Sequence, residues 1–128
     1  MQITIISEDQ VSSTLLARNL QAVGHWVSIH PLDQALPASI LESPGIEDTN
    51  LWVLDLDWYS DSRVKTHAIL GKWCRGQSQP AVLLVDDSWD AKHIRAFAAE
   101  ATMTKPFSMA NFLQVISRLA GPKQDKPI

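Results

Sequence analysis

Acidic side chains follow three apolar runs of this 128-residue chain, at the point where each run ends. Six of the chain's 14 acids are placed in this way: Glu8, Asp9, Asp55, Asp57, Asp86 and Asp87. A single amine, Lys105, follows the last apolar run and would be their counter-charge. Carboxylates that converge repel, so they raise one another's pKa or recruit a cation. Mg²⁺ binds one or two carboxylates and keeps several waters, which makes it the cation that this pattern would accept. The plain alternative is that all six acids are solvated loop residues.

The apolar runs themselves have the length and composition of β-strands. They span residues 2–7, 26–30, 51–55, 81–85 and 101–104. Helix-like segments separate them, and five helices are predicted: 11–23 ending at Gly24, 37–43, 62–75 from Ser62, 88–99 capped by Ser88, and a last helix from the N-cap Ser108 to Leu119 or Ala120, closed by "GP" at 121–122. Alternating strands and helices predict right-handed crossovers onto a parallel sheet covered on both faces. The expected fold is therefore an α/β protein, a (βα)5 three-layer α/β/α sandwich with a five-stranded parallel sheet.

This topology would bring the acids together. In an open parallel sheet, ligands and chemistry gather outside the carboxyl ends of the strands. The acids that follow the first, third and fourth runs and the amine that follows the fifth would share that edge. The sequence thus predicts one functional site at one edge of the sheet.

Composition limits the classes of protein to consider. Hydrophobic residues make up 45% of the chain, enough for the core of one domain. Charged residues make up 20% and the formal net charge is −3, which favours neither a nucleic-acid partner nor a disordered acidic tail. The single cysteine, Cys74, cannot form an internal disulfide, and there is no apolar stretch of 18 residues. We therefore expect a cytoplasmic protein without membrane or nucleic-acid contacts.

The aromatic and imidazole side chains allow weaker predictions. Trp26 and Trp52 fall in strand patterns and are predicted to be core residues, whereas Trp73 would anchor the third helix. Trp58 and Trp89 flank the acidic edge, where an exposed indole could contact a partner or, alternatively, pack over the pocket. The histidines are predicted to be surface or half-buried residues without metal-ligand spacing: His25, His30, His67 and His93.

The sequence resembles a response-regulator receiver domain, the CheY-like phosphoacceptor module of two-component signalling with a flavodoxin-like fold. The resemblance is carried in order by "ITIISEDQ", "LWVLDLD", "PAVLLVDD" and "TKPFSMANFLQVI". It covers residues 1–121, which leaves 122–128 as a predicted flexible tail or start of a linker. The resemblance implies that Asp55 is the phosphoacceptor, that Lys105 pairs with it, and that the Lys105–Pro106 bond is cis. It also implies that Glu8 and Asp55 are Mg²⁺ ligands.

Other positions depart from the family pattern. Ser7 stands where the first acid of the metal-binding pair is expected, so one ligand charge is lost unless Asp9 replaces it. Val85 stands where a Thr or Ser hydroxyl normally contacts the phosphoryl group, and valine cannot form that hydrogen bond. Thr102 stands where an aromatic residue usually reports the switch, and Tyr59 replaces a common Pro. Without these parts, a phosphoryl group on Asp55 would have little differential contact with two conformations.

These departures predict a degenerate receiver, a protein-interaction module that is not an enzyme and has weak or no Asp phosphorylation. In it, Asp55 and Lys105 would form a fixed pair and Mg²⁺ would be held weakly. The partner would be a histidine kinase, an output domain or a second copy of the chain. In the family, the contact face is commonly formed by the fourth helix, fifth strand and fifth helix.

Two alternatives remain open at this stage. The first is an active receiver that a histidine kinase phosphorylates on Asp55, with Mg²⁺ on Glu8 and Asp55 and with Ser7 or Asp9 completing the site. The second is a Mg²⁺-dependent phosphatase of the haloacid dehalogenase type, in which Asp55 would attack and Asp57 would be the general acid. The order of residues argues against the phosphatase, because Lys105 follows the late acids Asp86 and Asp87 instead of preceding them.

Overall fold

The computed structural model describes residues 1–32, 46–57 and 64–120. They contain one sheet of five parallel strands in the order β2-β1-β3-β4-β5. The strands are β1 (Gln2–Ser7), β2 (Trp26–Pro31), β3 (Leu51–Asp55), β4 (Ala81–Val85) and β5 (Ala101–Thr104). All five strand predictions are confirmed, with β2 one residue longer than predicted. The order 2-1-3-4-5 is that of flavodoxin-like folds.

The helices alternate with these strands. Those in the described residues are α1 (Gln10–Ala22), α2 (Val64–Arg75), α3 (Ala91–Arg95) and α4 (Met109–Ala120), and a short 3-10 turn spans Ile46–Asp48. The predicted helix at 37–43, the predicted cap Ser62, the closing "GP" and the predicted tail 122–128 lie outside the described residues. No helix in the described part of the chain is long and apolar enough to cross a membrane.

Helix ends follow local capping rules in most places. Gly24 adopts a φ of +100° directly after α1, a conformation that favours glycine and ends the helix as predicted. Ser108 caps α4, because its hydroxyl accepts a hydrogen bond from the Asn111 amide at 3.0 Å. The helix predicted over 88–99 is shorter than expected. Asp90, not Ser88, is its N-cap, with the carboxylate accepting from the His93 amide at 2.9 Å.

Two hydrophobic clusters cover the two faces of the sheet, which confirms the three-layer sandwich. One cluster joins α2 and α3 to the sheet: Ile6, Trp52, Leu54, Leu56, Leu70, Cys74, Ala81, Leu83, Val85, Trp89 and Phe97. The other joins α1 and α4: Ile3, Ile5, Leu16, Ala17, Leu20, Leu51, Val53, Val82, Leu84, Phe112 and Ile116. Successive residues of β3 and β4 belong to opposite clusters, as side chains of a strand buried on both faces must.

The tryptophans divide between core and surface. Trp52 is 3% exposed and its ring contacts Trp73 edge-on with centroids 4.8 Å apart, which confirms both predictions for these residues. The prediction for Trp26 is wrong, because its side chain is 75% exposed. Trp26 opens β2, which in the described residues lies at the edge of the sheet and pairs with β1. The next residue, Val27, packs against the α1 and α4 cluster.

Candidate functional site

The carboxyl ends of the strands form one edge of the sheet, and backbone hydrogen bonds continue past the strand ends there. The Glu8 amide donates to the Asp55 carbonyl at 3.0 Å, and the Leu56 amide donates to the Leu84 carbonyl at 3.0 Å. The Lys105 amide donates to the Val85 carbonyl at 2.7 Å. These bonds bring the segments that follow β1, β3 and β5 together, as the sequence predicted.

Asp55 lies at the centre of this edge and its side chain has no exposed surface. Lys105 places its Nζ 2.6 Å from Asp55 Oδ1, and the Ser7 hydroxyl donates to Oδ2 at 2.8 Å. Lys105 also donates to the Leu56 carbonyl at 2.8 Å. The Lys105–Pro106 peptide is cis, as the resemblance implied. Both carboxylate oxygens of Asp55 are therefore engaged by the protein, and the buried negative charge is paired with an ammonium group.

Glu8 is paired with a residue that the sequence analysis missed. His67 Nε2 lies 3.1 Å and 3.3 Å from the two oxygens of the Glu8 carboxylate, and the Asp57 amide donates to the same group at 2.7 Å. Since an ionised carboxylate only accepts hydrogen bonds, the pairing places a proton on His67 Nε2. His67 is 2% exposed, so the prediction that the histidines are surface or half-buried is wrong for this one.

A signal for His67 is present in the sequence. His67, Leu70 and Cys74 are spaced i, i+3 and i+7 on α2, and all three are buried against the sheet. Metal-binding histidines are recognised in a sequence by the spacing between two or more ligands, and a single histidine on the buried face of a helix has no such spacing. The hydrophobic period of α2 would have placed His67 on the core face.

Trp89 packs over the same edge instead of pointing to solvent. It is 6% exposed, and its indole N–H donates to the Asp57 carbonyl at 2.9 Å. Its ring lies against the imidazole of His67, with centroids 4.7 Å apart, and contacts Phe97 on the other side. The interpretation of Trp89 as an exposed partner contact is therefore wrong, and the alternative of packing over the pocket holds. Trp58 and Tyr59 lie outside the described residues.

The third predicted metal ligand, Asp9, has a structural role. Its carboxylate is the N-cap of α1 and accepts from the amides of Val11 at 3.0 Å and Ser12 at 3.2 Å. The side chain of Asp9 is exposed, and it does not replace the acid missing at Ser7. Across residues 1–32, 46–57 and 64–120, no group of three or more His, Cys, Asp or Glu side chains is arranged to hold a metal ion. The donor set described here does not fit a firmly held Mg²⁺, which prefers near-octahedral oxygen ligands.

The two positions that the resemblance implies as switch residues, Val85 and Thr102, lack the hydroxyl and the aromatic ring expected there. Val85 ends β4 with a fully buried isopropyl side chain, which has neither donor nor acceptor. Thr102 lies on β5 opposite Leu83 with its side chain exposed, so no aromatic ring is available at this place to turn inward. Val85 contacts Lys105 through its backbone carbonyl, and its side chain forms no hydrogen bond with Asp55 or Lys105.

Cys74 is not a candidate nucleophile. Burial, and then the negative charge of Glu100, raise the pKa of its thiol to about 11. A thiol with such a pKa is almost entirely protonated at neutral pH, and the thiolate is the reactive form. Cys74 is therefore a packed thiol of the core, with 6% of its surface exposed.

Comparison with known proteins supports the fold independently. No family model matches the sequence, and no curated protein matches it significantly. Solved structures do match: a response regulator receiver protein from Burkholderia phymatum has a TM-score of 0.70 and 16% identity over 94% of this chain and 98% of that one. The signal receiver domain of a histidine kinase from Syntrophus aciditrophicus has a TM-score of 0.68 and 18% identity over 99% and 96%.

A third match is the BeF3-activated N-terminal receiver domain of RstA from Klebsiella pneumoniae. It has a TM-score of 0.65 and 23% identity over 93% of this chain and 97% of that one. These matches extend over nearly the whole length of both chains in each pair. The chain therefore has the receiver-domain fold, at sequence identities that establish the fold alone.

Proposed function

We propose that this chain is a degenerate receiver domain of two-component signalling that acts by binding a protein partner, with weak or no phosphorylation of Asp55. The observation that carries this proposal is the state of Asp55: a fully buried carboxylate with both oxygens held, by Lys105 and by Ser7. A phosphoryl group on this residue would have to displace one of these contacts.

The neighbours of Asp55 support the same conclusion. Phosphorylation shifts a conformational equilibrium only if the phosphate gains contacts in one state that it lacks in the other. Val85 offers no hydrogen bond and Thr102 no ring at the positions from which the family normally draws these contacts. A domain that keeps the fold but lacks this readout can still present a fixed surface to a partner. We expect no catalytic turnover from it.

The partner would be a histidine kinase, an output domain or a second copy, and we expect the protein to be cytoplasmic. The surface formed by α3, β5 and α4 remains the predicted contact face, within a domain of residues 1–121. Its polar side chains include the exposed residues Lys92, Arg95, Glu100, Thr102, Asn111, Gln114 and Arg118 and the half-buried His93.

One specific observation favours the active receiver as a second candidate. The Asp55 and Lys105 pair at 2.6 Å and the cis Lys105–Pro106 bond are both retained, and a receiver needs its acidic acceptor and its amine. The receiver-domain fold argues against the haloacid dehalogenase interpretation. The order of residues does so too, because Lys105 follows Asp86 and Asp87 in the chain instead of preceding them.

Phosphorylation assays separate the degenerate domain from the active one. The protein is incubated with acetyl phosphate and Mg²⁺, and intact-mass spectrometry measures the fraction that gains one phosphoryl group. We expect little or no gain for the natural sequence. The Ser7→Asp and Val85→Thr double variant, which restores an acid and a hydroxyl, should gain more. Asp55→Asn in that background is the control and should abolish the gain.

The opposite result would refute the degenerate assignment. Near-complete modification of the natural sequence, lost on Asp55→Asn, would establish an active receiver. Beryllium fluoride with Mg²⁺ gives a second test, in which tryptophan fluorescence should show no saturable change, since Trp89 lies on the same edge and would report one.

A further inference from the structure

We propose that His67 and Trp89 supply, from within the protein, the N–H donors that replace a divalent cation at this edge of the sheet. They hold the edge in one arrangement that needs no metal. This inference rests on the proposed function, because it explains how a receiver domain could keep a formed site after losing a ligand acid. It assigns a positioning role to two residues that lie outside the motifs carrying the resemblance.

An ion at this edge would need oxygen atoms as ligands. Among the oxygens of the described part of the edge are the carboxylates of Glu8 and Asp55 and the carbonyls of Leu56 and Asp57. Glu8 is paired with His67 and the Asp57 amide, Leu56 accepts from Lys105, and Asp57 accepts from Trp89. Asp55 accepts from Ser7 through Oδ2, and its Oδ1 forms an ion pair with Lys105. Buried oxygens that already have partners gain little from a new ligand, since binding an ion would first break those hydrogen bonds.

His67 and Trp89 act as one unit. The imidazole is 2% exposed and sits between the Glu8 carboxylate and the indole ring, whose centroid is 4.7 Å away. Trp89 comes from the segment after β4, Glu8 from the segment after β1 and His67 from α2. The contact between the two rings, together with the hydrogen bonds of Glu8 and Trp89 to Asp57, therefore connects three separate segments at Asp57. A bound cation would join loops in the same way, by drawing oxygens from several strand ends to one point.

Charge supports the same assignment. Among the described residues, the buried Asp55 carboxylate is paired with the ammonium group of Lys105, and the buried Glu8 carboxylate is paired with the imidazole of His67. Ser7 adds a hydroxyl where a further carboxylate would raise the negative charge, and the Asp9 carboxylate is used by the N-terminus of α1. The chain's own groups thus pair with both carboxylates without an ion.

Removing the imidazole should make the site dependent on metal. In His67→Ala, the Glu8 carboxylate loses the imidazole that lies 3.1 Å from it, and a buried charge that loses a partner is destabilised. We expect a lower Tm than for the natural sequence and a saturable rise in Tm with Mg²⁺, because a ligand that binds only the native state stabilises it. The natural sequence should show no such rise. His93→Ala is the matched control. It removes an imidazole of α3 that is paired with Asp90 and not with Glu8, so it should leave the protein insensitive to Mg²⁺.

A conservative variant distinguishes positioning from general packing. His67→Gln keeps an N–H donor for Glu8 but loses the aromatic ring, so it should recover part of the lost Tm and remain insensitive to Mg²⁺. If His67→Ala fails to fold, paramagnetic broadening by Mn²⁺ on the natural sequence replaces it. The resonances of the His67 ring and the Trp89 indole N–H should then be no broader than those of exposed control residues.

The outcomes separate this inference from the proposed function. Saturable Mn²⁺ broadening of His67 and Trp89 in the natural sequence, or a folded His67→Ala protein that does not respond to Mg²⁺, would overturn the inference. Either result leaves the degenerate assignment in place if Asp55 still takes no phosphoryl group. Phosphorylation of Asp55 in the presence of a chelator would overturn the proposed function, while the metal-free edge inferred here would stand.

Discussion

The carboxylate of Asp55 lies among apolar strands, and its charge is shared between an ammonium group and a hydroxyl. Such a group is stable only with its partners, because the interior offers no water to replace them. The motif around Lys105 was enough to predict this pair from the sequence. The donor to Glu8 was not predicted, since His67 lies 59 positions further along the chain and only the fold brings the two together.

Removal of the Lys105 amine should show how much its pairing with Asp55 contributes to the free energy of unfolding. Lys105→Met keeps much of the side-chain length and leaves a buried carboxylate with only Ser7 as a side-chain donor. We expect a loss of about 2 to 4 kcal/mol in the free energy of unfolding, below the range for a fully enclosed pair because Lys105 is 27% exposed. Urea denaturation measures it.

The matched control for this prediction is Lys72→Met, an exposed lysine on α2. It should change the free energy of unfolding by no more than about 0.5 kcal/mol. Adding Asp55→Asn to Lys105→Met should recover part of the loss, because the unpaired charge is then gone. Equal stability of Lys105→Met and the natural sequence would show that the amine does not compensate Asp55.

Among the elements, strands were predicted more accurately than helices. Central strands are buried on both faces, so their continuous apolar runs mark both ends clearly. In α1 the apolar residues do not all face the core, because Val11 and Leu15 are exposed whereas Leu16 and Leu20 are buried. The helix that contains α3 was predicted too long. Ser88 and Asp90 are both good N-cap residues, and which of them begins the helix depends on a turn in which the Ser88 amide donates to the Asp86 carboxylate.

The start of α1 offers a test of what Asp9 does. The sequence allowed it as a metal ligand, and the structure makes it an N-cap with two backbone donors. Asp9→Ala should lower the free energy of unfolding by about 1 kcal/mol, and Asp9→Ser should retain most of the stability, since serine is also a good cap. Both effects should be the same with and without Mg²⁺ in thermal denaturation.

Asp87→Ala serves as the control for Asp9, because Asp87 is an exposed acid at the same edge of the sheet. It should have little effect on stability. If the cost of Asp9→Ala appeared only in the presence of Mg²⁺, the carboxylate would be a ligand and its role as a cap would be secondary.

At the scale of the whole molecule, the alternation of strands and helices was enough to predict the three-layer arrangement. Five strands separated by amphipathic segments can be connected in few ways that keep crossovers right-handed and both faces covered. The alternation of strands and helices along the chain does not reveal which strands lie at the two edges of the sheet. That is why the Trp26 prediction failed and the Trp52 prediction succeeded.

These two tryptophans provide a measure of where the core ends. Trp52 is in the centre of the sheet and packs against Trp73, so Trp52→Ala should cost about 3 to 5 kcal/mol in the free energy of unfolding. Trp26→Ala removes an exposed ring from the edge strand and should change it by no more than about 0.5 kcal/mol. Acrylamide should quench the tryptophan fluorescence of Trp26→Ala less than that of the natural sequence, because the removed indole is 75% exposed. A cost for Trp26→Ala close to that of Trp52→Ala would mean that β2 is covered in solution, and sedimentation velocity would then show whether a second copy covers it.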